Sequence, residues 1–212
     1  MTGRASIETE TRAMHSDRRQ FLAAAAAFAA LPPIAARAAV SPSDAEAFVA
    51  QLVDDLIDIL SRATAQDTRV EEFLALFRRT TALAEIGRFT MGRNWREMTD
   101  AQREAFIEAF ERYAARAYTN RLGDYNGQTV TITGSQDVGR RGVLVRSVLR
   151  SPGEQPFEVE WLVNEKDGQP ILVDIVAEGV SLSITQREEF SGMVERRGGD
   201  IDRFIADLDT LG

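Results

Sequence analysis

Phe157-Glu158-Val159-Glu160-Trp161-Leu162-Val163 and Ile171-Leu172-Val173-Asp174-Ile175-Val176-Ala177, with Asp167-Gly168 between them, decide the fold. Both runs are rich in β-branched and aromatic residues, and side chains two apart share a face of a strand. Asp-Gly between such runs is a strong hairpin signal, because a tight two-residue turn needs positive φ at both positions. The alternation places Phe157, Val159, Trp161 and Val163 beside Ile171, Val173 and Ile175 on one face. The other face carries Glu158, Glu160, Asp174 and Glu178, which belong in water.

The same period of two extends toward the N-terminus, through Val143 to Leu149 and through Thr129-Val130-Thr131-Ile132-Thr133. Arg141-Gly142 and Pro152-Gly153 supply the turns. Four strands in sequence, joined by short turns, read as an antiparallel meander.

Before Gly127 the period is helical. Four hydroxyl residues are followed three positions later by an acid or amide: Ser43/Glu46, Thr68/Glu71, Thr99/Gln102 and Thr185/Glu188. Each matches the capping box that satisfies the free N–H groups of a helix start. After Ser43 an apolar stripe runs through Phe48, Leu52, Leu56, Ile59 and Leu60, widened by Val49, Val53 and Ile57 beyond a single seam. Val70, Phe73, Leu74 and Phe77 mark a second helix, and Leu83, Ile86 and Phe89 a shorter one. A third long helix, Thr99 to about Leu122, sets Phe106, Phe110, Tyr113 and Ala117 on one face, with Ile107, Ala114 and Tyr118 beside them. Beyond the strands, Phe190, Met193 and Val194 mark a helix that stops at Gly198-Gly199, and Ile201, Phe204, Ile205 and Leu208 mark the last. The expectation is an α+β fold, with N-terminal and C-terminal helices packed on one face of a curved four-stranded antiparallel sheet.

The first 38 residues read as an address. Arg18-Arg19 precedes an apolar run from Phe21 to Leu31, Pro32-Pro33 breaks it, and Ala36-Arg37-Ala38 offers the small-x-small pattern of a cleavage site. The run is mostly alanine and far short of the ~20 residues that span a bilayer. This resembles a twin-arginine export signal; an ordinary secretory signal that contains Arg-Arg is the alternative, and Met14 is an alternative start to Met1. Either signal takes the chain out of the cytoplasm and leaves one domain, 39–212. Cleavage after residue 38 removes five arginines and three acids from 25 basic and 33 acidic residues, leaving 20 and 30 and a net charge near −10. Such a surface repels nucleic acid and anionic membrane, and nothing in it reads as a stable membrane anchor.

Two absences narrow the chemistry. There is no cysteine, and the one histidine, His15, lies in the expected signal, so the mature chain has neither thiolate nor imidazole. This removes zinc sites built on those ligands and Ser-His-Asp triads. One lysine, Lys166, without a Gly-x-x-x-x-Gly-Lys, leaves no phosphate-binding loop. No catalytic residue, metal site or cofactor is expected.

The densest unusual stretch is Gly87-Arg88-Phe89-Thr90-Met91-Gly92-Arg93-Asn94-Trp95-Arg96. Together with Phe106 to Phe110, Val173-Asp174-Ile175-Val176-Ala177-Glu178-Gly179-Val180-Ser181-Leu182 and Arg197-Gly198-Gly199-Asp200, it resembles the MlaC family, the periplasmic phospholipid-binding components of the Mla lipid transport system, also called toluene-tolerance proteins. The resemblance covers essentially the whole mature chain. It implies a soluble, monomeric carrier that holds phospholipid acyl chains in an apolar cavity between helices and sheet. Its implied partners are an inner-membrane ATP-driven lipid transport complex and an outer-membrane lipoprotein complex. A related branch sits with hopanoid biosynthesis functions, so a different lipid is an alternative cargo, and an adaptor that carries nothing is an alternative role.

With that resemblance, the residues expected to line the cavity are Phe77, Phe89, Trp95, Phe106, Phe110, Tyr113, Val145, Val159, Trp161, Val173, Ile175 and Leu182. The same side chains would fill an ordinary core in most proteins. Arg88, Arg93 and Arg96 are the candidates for a lipid phosphate; arginines so placed also cap helix ends or pair with surface acids. A carboxylate enzyme using Asp174 with Tyr113 or Tyr118 is disfavoured, because alternation points Asp174 outward.

Overall fold

Ser41, rather than Ser43, starts the first helix: its hydroxyl accepts the Asp44 N–H at 3.1 Å, ahead of Pro42 at the first helical position. The computed structural model describes residues 40–62, 65–123 and 125–211. The expected export signal lies outside them. Helix α1 (Pro42–Ser61) is followed by α2 (Gln66–Thr80), α3 (Leu83–Met91), a single turn α4 (Asn94–Glu97) and the long α5 (Asp100–Leu122). Strands β1 (Thr129–Asp137), β2 (Val143–Arg150), β3 (Phe157–Lys166), β4 (Gln169–Ala177) and β5 (Val180–Ser181) come next, then α6 (Leu182–Arg196) and α7 (Ile201–Leu208).

Of the four expected capping boxes only Thr99/Gln102 forms, with both reciprocal bonds in place. Ser43, Thr68 and Thr185 lie inside their helices. A hydroxyl followed by an acid suits the first turn of a helix as well as its cap, so the motif fixes the end only to within a few residues. Ser181 caps α6, and Ala65 precedes α2 without a side-chain cap.

The sheet is a fully antiparallel meander in the order β1-β2-β3-β4-β5. Asp167 and Gly168 take φ of 53° and 81°, as the hairpin requires. The expected four strands become five because Glu178-Gly179 makes a second such turn, at φ 50° and 79°, and folds β5 back onto β4.

A bulge in β4 changes which residues share a face. Leu162 pairs with Asp174 and Val163 with Leu172, so Val173 opposes no residue of β3. Leu172 thereby joins Trp161, Val163 and Ile175 in the core, while Ile171 and Val173, expected there, are not part of it. Leu172 also receives the α2–α3 link, through a 2.9 Å bond from the Ala82 N–H to its carbonyl.

The interior is two cores. The first packs α1 and α2 on the sheet and contains Val49, Leu52, Phe73, Leu76, Val143, Val145 and Val163. The second joins α3, α5, α6 and α7 around Phe106, Phe110, Phe190 and Phe204, with ring centroids 5.2–6.2 Å apart. Gly87 lets α3 press on α5: a Cβ there would stand 3.1 Å from the Phe110 ring. Packing of all helices on the sheet was expected; instead α7 packs on α5 and α6. Among the described residues Phe77 alone packs against both cores.

Candidate functional site

The seam between the two cores opens into an apolar cleft of about 630 Å³. Its helical wall comes from α1 (Leu52, Leu56, Leu60), from Phe73 and Phe77 of α2, and from Leu83 and Ile86 of α3. Helix α5 adds Phe110, Ala114, Tyr118 and Leu122, a ridge of residues four apart. The floor is the sheet: Val130, Leu149, Phe157, Val159, Trp161, Leu172, Ile175 and Ala177. Lining residues run from the level of Phe157 to that of Leu172, the partner of Val163. That is a length of about 20 Å at 3.4 Å per residue.

Trp161 is the largest floor residue, and its polar atom is turned away from the cleft's needs. The indole Nε1 donates to Ser147 Oγ at 2.9 Å, and that hydroxyl donates on to the Val159 carbonyl at 3.0 Å. A bulky ring therefore lies against the hollow without an unsatisfied N–H.

One end of the cleft is rimmed by exposed Leu122, Tyr125, Asn126, Pro152 and Glu154. At the other end stand Leu182, Ser183 and Gln186 of α6 together with Asp174. Asp174, expected to point into water, is instead half-buried at the start of α6. Its carboxylate accepts from Ser181 Oγ at 2.6 Å and from the N–H groups of Ser183 and Ile175 at 3.2 and 2.9 Å. Negative charge there complements the helix N-terminus and ties α6 to β4. Glu154 and Asp174 are the charged groups among the described lining residues, which include no Lys, Arg or His.

Six of the twelve residues expected to line a cavity meet in this cleft: Phe77, Phe110, Val159, Trp161, Ile175 and Leu182. The other six lie elsewhere. Phe106 is wholly buried in the second core, and Trp95 packs on it at 6.3 Å. Val145 is wholly buried in the first core, and Val173 sits at the bulge. Tyr113 borders a separate open depression between α5 and α6, shared with Glu188, Glu189 and Arg196. Phe89 is exposed beneath the Arg187 guanidinium, 5.3 Å from its ring centroid. Arg88, Arg93 and Arg96 are all exposed and outside the lining; Arg93 reaches Glu195 at 3.5 Å.

Sequence reasoning missed the wall from α1 and the Ala114-Tyr118-Leu122 ridge. Their signal was the excess width of both apolar faces, since residues beyond one core seam need a second surface to meet. Among the described residues no cluster of acids fit to hold a metal ion occurs, and no helix is long and apolar enough to cross a membrane.

Comparison with known proteins gives this geometry a setting. The chain is 26% identical over 111 residues to the toluene tolerance protein of Pseudomonas putida. The match takes in 52% of this chain and 51% of that protein, so the chain spans about half the length of the curated relative it matches. A phospholipid-binding protein from Ralstonia solanacearum, solved in complex with a phospholipid, shares the fold: TM-score 0.64 and 24% identity over 78% of this chain and 98% of that one. A model of the family described as MlaC protein matches residues 50–210, the helices and sheet that build the cleft included. The chain belongs to the MlaC family.

Proposed function

We propose that the protein is a periplasmic lipid carrier that holds phospholipid acyl chains in the cleft between its two cores. One observation carries the reading: an apolar hollow about 20 Å long at the boundary of the two cores, walled by side chains of both. The phospholipid held by the similarly folded Ralstonia solanacearum protein supports it. Exposing one chain of about fifteen methylenes to water costs roughly 12 kcal/mol at ~0.8 kcal/mol per CH₂. A carrier must offset a cost of that size, and a wall of Leu, Ile, Phe and Trp does so without a specific bond.

The chain reaches its compartment by the expected signal and acts as a monomer. It exchanges cargo with an inner-membrane ATP-driven complex and an outer-membrane lipoprotein complex. It contains no phosphate-binding loop, so direction comes from those partners, through different affinities for loaded and docked states. A second reading has its own support. The described lining residues carry no cation to select a phosphate, so a different lipid, such as a hopanoid, suits the same walls.

Organic extraction of protein purified without added lipid, followed by mass spectrometry, tests the reading. A membrane lipid in the extract is expected. Clean protein that also takes nothing from labelled liposomes refutes it.

A further inference from the structure

Thr81 stands where α2 ends and the chain crosses to α3, and it lines the cleft. It forms a parallel bridge with Leu172, and the Ala82 N–H bonds the Leu172 carbonyl at 2.9 Å. That sets it at the Leu172 level of the floor, the opposite end from the exposed rim of Leu122, Tyr125 and Pro152. Its Oγ1 is shut off from bulk water and has no hydrogen-bond partner among the described residues. No other described lining residue has a buried side-chain oxygen or nitrogen in that position.

The fold treats its other buried threonines differently. Thr80 donates to the Leu76 carbonyl at 2.7 Å, Thr90 to that of Gly87 at 2.8 Å and Thr119 to that of Ala115 at 2.6 Å, each inside a helix. Thr81 has left its helix, with φ −127° and ψ 138°, and its own N–H takes the Phe77 carbonyl four residues back. Extended backbone denies the hydroxyl that acceptor. The Asp174 carboxylate, two residues along β4 from Leu172, is taken by Ser181, Ser183 and Ile175. A buried hydroxyl without a partner is a standing cost to the fold. Rotation about Cα–Cβ exchanges a threonine's hydroxyl and methyl between staggered positions. A hydroxyl sealed in the empty protein can thus turn toward a group in the cleft, and an oxygen on the cargo at this level completes the bond.

We propose that Thr81 selects the cargo: its hydroxyl bonds an oxygen of the bound lipid, the carbonyl of an ester or the hydroxyl of a polycyclic alcohol. The apolar walls hold hydrocarbon of any kind, and Thr81 favours hydrocarbon that carries such an oxygen. The proposal rests on the carrier reading above. Its test measures equilibrium binding of two matched pairs to delipidated mature protein. One pair is a short-chain diester phosphatidylcholine and its diether analogue, which lacks the carbonyls. The other is cholesterol and cholestane, which lacks the hydroxyl. Thr81→Val keeps the branched shape and removes the hydroxyl. It is expected to weaken the oxygen-bearing member of one pair at least fivefold and leave its partner unchanged; the diester or the alcohol, whichever responds, names the source. Thr81→Ser keeps the hydroxyl and is expected to bind like wild type. Empty Thr81→Val protein is expected to melt at or above the wild-type temperature, because no bond within the fold is lost. A lower melting temperature, or equal effects on both members of each pair, overturns the role of Thr81 alone. Wild-type protein that binds no member of either pair overturns the carrier reading and this proposal with it.

Discussion

Trp161 of β3 and Ser147 of β2 are diagonal neighbours, joined by a 2.9 Å bond from the indole N–H to the hydroxyl of Ser147, a residue only 2% exposed. Replacing Ser147 by Val removes the acceptor and strands a buried indole N–H. Such a group costs about 1–3 kcal/mol. Ser147→Val is therefore expected to lower the unfolding midpoint, and the loss in a Trp161→Phe background is expected to be smaller. Thermal melts of the four proteins in a double-mutant cycle measure the difference.

Filling the cleft and weakening a core are separable. Ala177 lines the floor, so Ala177→Leu adds apolar bulk where cargo would lie. The expected result is at least fivefold less extractable lipid with an unchanged or higher melting temperature. Phe106→Leu trims a wholly buried ring outside the lining. It is expected to cost about 1–3 kcal/mol of stability and leave lipid content alone. Lipid quantification beside calorimetry distinguishes the two.

Gly142 holds a position that no other residue fits. Its φ is +108°, and a Cβ there would stand 2.0 Å from the Val163 carbonyl oxygen. The three nearest atoms are all backbone of Val163 and Asn164, which cannot swing aside as a side chain would. Gly142→Ala is expected to destabilise by about 3 kcal/mol or more, read as a collapse of the denaturant midpoint.

Acid should weaken two surface ties. The Lys166 ammonium holds the Glu85 carboxyl below its ordinary value of 4.5, and Arg112 holds Asp209 below 3.8. A depressed carboxylate stabilises the fold above its unfolded pKa and loses that contribution as pH falls through the folded one. Both pairs are well exposed, so the effect is small and screened by salt. Glu85→Gln with Asp209→Asn is expected to flatten the fall in melting temperature below about pH 4.5, most visibly at low ionic strength. Equal slopes for wild type and variant would refute this.

The α+β class was legible because β3 and β4 alternate cleanly around Asp167-Gly168, and Thr99/Gln102 fixed the start of the longest helix. The fifth strand was not, since Glu178-Gly179 lacks the Asn or Asp that ordinarily announces such a turn. Nor was the bulge: Val173 continues a regular pattern, and only its pairing with β3 shows that β4 carries one residue too many. The site was half legible for a related reason. Phe106 and Phe110 share a helix face, yet Phe190 and Phe204, far along the chain, close over Phe106. Spacing along one helix cannot tell which of two neighbours will be sealed by a third.

The partition of the interior has a consequence for the empty protein. A hole of 630 Å³ inside one continuous core would forfeit roughly 15 kcal/mol at ~24 cal/mol per Å³, as much as a whole domain usually has. Set along a boundary, the hollow takes wall residues from both cores but leaves Val49, Val143, Val145 and Val163 of one, and Phe106, Phe190 and Phe204 of the other, packed away from it. A carrier of the kind proposed above, built on such a boundary, keeps its fold between one cargo and the next.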